Sequence, residues 1–192
     1  MRQIDSPRSV EEARQLERQA ARLKFLFFWG HQPQRDGGLG AGCLSQWWPA
    51  AFTVDAVTYP TAEHFMMHRK ALLFGDDQTA ARVLTVAHPG AAKTLGRQVR
   101  GFDEAIWETR RYDIVVAANT AKFGQHPKLR DFLLGTRDRV LVEASPLDRV
   151  WGIGLDAEDP RSSLPSLWRG LNLLGFALMD ARAALADRGT SE

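Results

Sequence analysis

Apolar and polar positions alternate along this chain at two periods, and the changes between them mark out its elements. Between residues 6 and 23, Val10, Ala13, Leu16, Ala20 and Leu23 trace a thin apolar stripe on a charged cylinder, the spacing of an amphipathic helix. Ser6-Pro7 can open that helix, and Ser9-x-x-Glu12 fits a capping box. Lys24 to Trp29 reads as a buried strand ended by Gly30. Gln32 to Gly42, with one proline and four glycines, is a loop longer than an ordinary connector. Residues 52–54 and 57–59 alternate as two short strands across Asp55-Ala56, a pair that a tight hairpin would replace by Asp-Gly.

Further along, Pro60-Thr61 starts a helix that runs to Phe74 and stops at Gly75-Asp76. Asp77 to His88 is a second helix, closed by Pro89-Gly90, and Ala91 to Val99 a shorter third. Asp103 to Phe123 is the longest interior helix, with Phe102, Ile106, Trp107, Ile114, Val115 and Ala118 as its core candidates. Pro127 to Leu134 is helical, Arg139 to Ala144 alternates as a strand, and Pro165 to Ala186 closes the chain as an apolar-faced helix. The pattern predicts a compact, helix-rich α+β domain over 24–188 with three or four short strands, preceded by a separate helix over 1–23.

Composition narrows the class without changing that picture. The chain has 192 residues, 44% hydrophobic and 25% charged, in the range of ordinary globular proteins. No apolar run approaches the length of a membrane span, and Met1 to Arg22 holds no apolar signal core, so a cytoplasmic location and no membrane partner are expected. A net charge of +2 gives no chain-wide field for nucleic acid. The single cysteine, Cys43, permits no intrachain disulfide.

Several clusters carry candidate chemistry. In Thr61-Ala-Glu-His-Phe-Met-Met-His-Arg-Lys70, Glu63 and Lys70 stand seven residues apart, so a helix brings them to nearly one azimuth. Glu63 lies in the first turn, where the helix dipole favours negative charge. His64 and His68 have the i, i+4 spacing of a zinc pair, but they lack the intervening Glu and an evident third ligand, so they read as packed or exposed histidines and no metal is expected. A second cluster runs from Glu143 through Ser145-Pro and Asp148 to Trp151-Gly152-Ile-Gly154, offering a carboxylate, a flat indole and two glycines that let backbone approach a ligand. Trp29-Gly30 and Ser45-Gln46-Trp47-Trp48 flank the glycine loop with aromatic faces suited to a stacked heterocycle. Lys93, Arg97, Arg110, Arg111 and Lys122 read as a solvated basic face, one or two of which could hold a phosphate; Asn119 stands beside Lys122.

Three of these stretches, taken together, resemble the NADAR superfamily of YbiA-like proteins: Tyr59-Pro-Thr-Ala-Glu63-His64 with Lys70-Ala71, then Ala121-Lys122-Phe123, then Ser145-Pro-x-Asp148-x-x-Trp151-Gly-x-Gly154. The resemblance extends over about Phe25 to Arg182. It departs at Ser45-Gln46-Trp47-Trp48, where many relatives carry a Ser-Asn-Phe-type stretch, and this leaves the substrate wall open. The resemblance implies an N-glycosidase. Its substrate would be a phosphoribosylamino-pyrimidine intermediate of riboflavin synthesis, or ADP-ribosylated guanine in nucleic acid. It also implies Glu63, Lys70 and Asp148 as catalytic groups, with Trp29, Gly30, Trp47, His64, Lys122, Trp151, Gly152 and Gly154 around the substrate, and no cofactor.

The residue types suit that chemistry. Breaking an N-glycosidic bond builds positive charge at the anomeric carbon, which a carboxylate stabilises, and a carboxylate can also take a proton from attacking water. Glu63 and Asp148 are the candidates for those two roles. Lys70 can protonate the leaving side, or attack the opened sugar as an amine and form a Schiff base. Two other classes fit the residues: a module that binds ADP-ribose or another NAD derivative without cleaving it, and a helical scaffold with Glu63 and Lys70 on its surface.

Overall fold

The computed structural model describes residues 6–189. The fold is helix-rich α+β, with seven α-helices and four short strands among the described residues. Its contacts group the chain into two units: a continuous one, residues 46–130, and a split one made of the segments before and after it.

The continuous unit opens with a hairpin, β1 (Phe52–Val54) and β2 (Val57–Tyr59), paired antiparallel with Phe52 opposite Tyr59. Asp55 and Ala56 both adopt positive φ, 51° and 62°, so the expected tight turn forms with alanine where glycine would be favoured. Helix α1 (Ala62–Leu73) follows, its N-terminus capped by the Thr61 hydroxyl. Next come α2 (Asp77–Thr85) and α3 (Pro89–Gly96). Pro89-Gly90 does not close α2, as expected from sequence; it starts α3, where a proline in the first turn lacks only an N–H that has no helical partner. Helix α4 (Glu104–Gln125) is capped by Asp103. Its Gln125 amide bonds both the N–H and the C=O of Thr53 (2.9 and 2.8 Å), acting as a short extra strand on β1. Phe52, Tyr59, Ala62, Phe65 and Ala118 form one core cluster. Of the core residues expected at the start of α4, Trp107 is buried but Phe102 and Ile106 are exposed.

The split unit holds the other two strands. β3 (Phe25–Phe28) precedes the continuous unit in sequence, and β4 (Val140–Glu143) follows it; they pair in parallel, with Phe25 opposite Val140 and Phe28 opposite Glu143. The N-terminal helix α5 is Val10–Arg18, shorter than the predicted 6–23: Ser9 caps it, and Ala20 turns to positive φ just beyond its end. Its place is fixed by Arg14, which donates to the carbonyls of Pro165 and Trp168, and by Glu17, which accepts the N–H and hydroxyl of Ser166. Helix α6 (Pro127–Gly135) spans the boundary between the units. Helix α7 (Leu173–Gly189) packs on β4. It starts later than the predicted Pro165, because residues 165–167 form a 3-10 turn and Asn172 takes φ 53°. The Asn172 amide then bonds the Leu141 carbonyl and the Glu143 N–H, tying the helix entrance to β4.

Candidate active site

In the continuous unit, α1 and α4 lie against each other and present two chemically different ends. At the start of α1 is a buried polar cluster. Glu63 is buried, and its N–H donates to the Gln46 carbonyl (3.0 Å). The Asn119 side chain on α4 donates to Gln46 Oε1 (3.0 Å) and to the Val115 carbonyl (2.9 Å). Gln46 Nε2 and Asn119 Oδ1 are buried without a hydrogen-bond partner among the described residues. Lys122, three residues beyond Asn119, is fully buried, and its ammonium lies 4.9 Å from the Phe123 ring centroid. Lys122 and Arg111, expected on a solvated basic face, are thus both interior; Arg111 is ion-paired with Glu108 (3.2 Å) and Glu104 (3.7 Å).

At the other end stands Lys70. Its Nζ lies 4.0 Å from the Phe102 ring centroid and 5.4 Å from that of Trp107. Burial pushes this amine below the ordinary lysine value, and Glu104 partly opposes that. Since Ala118 packs with Ala62 and Phe65 near the start of α1 and Trp107 lies by Lys70 towards its end, α4 runs back along α1. Glu63 and Lys70 are separated by about 10 Å of helix rise on nearly one azimuth.

The other predicted residues of this unit divide by role. His64 is wholly buried. Its Nε2–H donates to the Val86 carbonyl (3.1 Å), so the neutral ring offers Nδ1 as acceptor for the Thr61 hydroxyl (2.8 Å). Burial lowers its pKa, and both ring nitrogens are occupied within the protein. His68, its partner in the i, i+4 pair, meets the Tyr59 hydroxyl at 3.0 Å. Trp47 is half-buried; its indole meets the His88 ring edge-on, with the Lys93 ammonium 6.0 Å from its centroid.

In the split unit, Trp29 follows β3 and Asp148–Trp151 follow β4, so both stand off the carboxyl ends of the parallel pair, the edge at which open α/β sheets bind ligands. Trp29 is 60% exposed, and Gly30 after it has φ 73°. Asp148 Oδ1 accepts the N–H groups of Val150 (2.9 Å) and Trp151 (2.8 Å), and its carbonyl accepts that of Gly154 (3.1 Å). This carboxylate therefore orders the loop that carries Trp151. Gly152 and Gly154 are buried, and their close approaches are to the chain itself: a Cβ on Gly152 would meet the Glu143 carbonyl at 2.8 Å, and one on Gly154 the Arg169 Cβ at 3.0 Å. A groove of about 730 Å³ in this unit, beside Arg8, Arg137 and Arg182, contains none of the predicted residues. The Arg8 guanidinium is paired with Asp180, and Arg182 with Thr136 and the Arg139 carbonyl.

The profile of the NADAR domain matches residues 27–186. The chain belongs to the NADAR domain family. Relatives within it carry names that describe chemistry. N-glycosidase R617 of Acanthamoeba polyphaga mimivirus is 39% identical over 164 residues, covering 83% of this chain and 95% of the viral protein. N-glycosidase YbiA of Escherichia coli is 33% identical over 139 residues, covering 72% of this chain and 77% of that one. The NMR structure of YbiA superposes with a TM-score of 0.71 at 28% identity, covering 88% and 89% of the two chains. The chloroplastic riboflavin biosynthesis protein PYRR of Zea mays is 35% identical over 140 residues, 68% of this chain but only 20% of the plant protein. The NADAR match covers all eleven predicted site residues, five in the continuous unit and six in the split one. Sequence reasoning placed Phe102 and Trp107 in the core and gave neither a part in the site. No local signal sets them apart: Phe102 precedes the cap of α4, Trp107 lies in its first turn, and only the structure shows both rings at the Lys70 amine.

Proposed function

We propose that this NADAR protein is an N-glycosidase that cleaves the C–N bond between a ribosyl phosphate and a pyrimidine-type base. One observation carries the reading: a buried carboxylate, Glu63, and an aromatic-boxed amine of lowered basicity, Lys70, on one side of the same helix. The names of the viral and bacterial relatives support the reaction, and that of the plant relative supports an intermediate of riboflavin synthesis as substrate. ADP-ribosylated guanine has the same ribosyl–nitrogen bond and is the second substrate class. The near-neutral charge favours the small molecule, since a nucleic-acid backbone calls for several clustered cations.

In the proposed reaction, Glu63 faces the cationic charge that grows at the anomeric carbon as the base departs. The neutral Lys70 amine attacks that carbon. The C–N bond breaks with its electron pair going to the base nitrogen, which takes up a proton. The new amine gives one proton to the departing base and, as the sugar ring opens, its second to the ring oxygen, leaving an imine between the anomeric carbon and Nζ. Water adds to the imine, returning the amine and releasing the sugar. Gln46 Nε2 and Asn119 Oδ1 supply a donor and an acceptor, the pattern that the lactam edge of such a base complements. In the split unit, Asp148 holds the loop that carries Trp151, an indole suited to stacking on a heterocycle.

The test is turnover of the phosphoribosylamino-pyrimidine and of guanine-ADP-ribosylated DNA, with released base and sugar followed by mass spectrometry. Glu63→Gln and Lys70→Ala are each expected to lower turnover roughly 10²–10⁴-fold while remaining folded. Borohydride added during turnover should leave the sugar bonded to Lys70. Full activity in both variants sinks the reading; tight ADP-ribose binding without product would mark a binding module instead.

A further inference from the structure

Phe102 is 40% exposed, yet the backbone on either side of it is tied down by hydrogen bonds. The buried Asp76 carboxylate, at the corner between α1 and α2, accepts the Arg100 N–H (2.9 Å) and guanidinium (2.7 Å) as well as the Thr79 N–H (3.1 Å). This clamp fixes the chain one residue before Gly101, whose φ of 69° turns it, and Asp103 then caps α4. Phe102 is held between those two fixed points, its ring meeting Phe74 edge-on at 5.3 Å and Lys70 Nζ at 4.0 Å. Trp107, one turn into α4, approaches the same amine from a second side. An aromatic ring kept partly in solvent against a lysine amine suits a group that dries and aims that amine.

We infer that Phe102, together with Trp107, is a positioning residue for Lys70: the two rings exclude water from the amine and hold it aimed for attack, and the Asp76–Arg100 clamp keeps Phe102 in place. The inference rests on Lys70 being the reactive amine of the proposed glycosidase. Two effects of the ring oppose each other. Its apolar bulk removes water and favours the neutral amine, while its π face attracts the ammonium. The other charged or titratable groups on neighbouring elements are Glu63, His64, His68 and Arg69 on α1, Asp77 and Arg82 on α2, Lys93 on α3, and Glu104, Glu108, Arg110, Arg111, Asp113 and Lys122 on α4, with Asp76, Arg97, Arg100 and Asp103 in the connections. Among these, Glu104 is the charge that acts on the titration, and it favours the ammonium.

The balance is read by labelling the folded protein with an amine-specific acetylating reagent across a pH series and measuring each lysine by peptide mass spectrometry. In the wild type, Lys70 should become reactive at lower pH than the lysine of a short model peptide labelled alongside. Phe102→Ala admits water, moves the Lys70 profile up towards that of the peptide and slows its labelling at neutral pH roughly fivefold. Phe102→Leu keeps the dryness and loses the π face, so its profile moves the other way. In turnover, Phe102→Ala should lower kcat more than it raises KM and shift the acidic limb of the rate profile to higher pH, and Phe102→Tyr should restore both. Coincident labelling profiles for wild type and Phe102→Ala, or shifts of the same sign in Ala and Leu, overturn the inference. Labelling that responds to Phe102 while Lys70→Ala keeps full turnover upholds the positioning and sinks the catalytic reading. Labelling that ignores Phe102 while Lys70→Ala abolishes turnover does the reverse.

Discussion

His64 has the chemistry of a catalytic group and the position of a structural one. Its ring is wholly inside, donates to Val86 and accepts from Thr61, and so fixes the first turn of the helix that carries Glu63 one residue earlier. Burial lowers its pKa, so on acidification the unfolded chain takes up a proton before the folded one does, and stability falls from about pH 7 downward. Asp76 acts in a lower window. The Arg100 hydrogen bonds hold its carboxyl far below the usual carboxylate range. Its contribution is therefore complete above about pH 5, roughly a unit over the unfolded value, and is lost progressively as pH falls below that. Denaturation midpoints measured against pH should show the second loss in the wild type and not in Asp76→Asn, the two curves converging in acid. At this scale the sequence disclosed residue types and concealed their surroundings. The common face of Glu63 and Lys70 was legible because helical spacing alone sets their azimuth. Phe102 was not, because an apolar residue before a helix looks like core until Gly101 and the Asp76 clamp are seen to hold it outward.

Elements were legible where local chemistry decides them. The hairpin is an example, since alternation over 52–54 and 57–59 requires a turn at Asp55-Ala56 whatever its composition. The turn puts Ala56 in the left-handed region, which costs an L-residue about 1 kcal/mol relative to glycine. Ala56→Gly should accordingly raise unfolding stability by about that amount in a urea titration. Element boundaries failed where one residue serves two segments. Pro89 was assigned to the end of one helix because proline stops helices, but the same ring suits a first turn equally well. The start of α7 was placed eight residues early for a related reason: the apolar spacing of Leu164, Leu167, Trp168 and Leu171 continues through a 3-10 turn without revealing the break at Asn172. Close packing between elements yields a paired prediction. A Cβ on Gly96 would meet the Met67 sulfur at 1.9 Å, whereas one on Gly175 would meet the Leu141 backbone carbonyl at 2.0 Å. A thioether can swing aside and a paired strand cannot, so Gly96→Ala should cost about 1 kcal/mol and Gly175→Ala about 3 or more. Thermal unfolding of both variants would check the order.

Across the whole molecule, family membership was legible because the three resembling motifs fall in order over residues 59–154, and the NADAR match encloses them all. The pairing of β3 with β4 was not legible. Each strand reads as a short apolar run, and nothing local to Phe25–Phe28 names a partner 115 positions away at Val140–Glu143. That pairing also has a consequence in time. Closing a loop of this length carries a large entropic cost before any ladder bond forms, and parallel pairing of distant strands is slow. The intervening residues 46–130 form a unit from consecutive sequence. As the chain emerges from the ribosome, that unit has all its residues before β4 has been synthesised. Phe25–Phe28 must wait, an apolar edge without its neighbour, until Val140–Glu143 has followed. The segment most exposed to misassociation in a nascent chain is therefore the one that leads into Trp29.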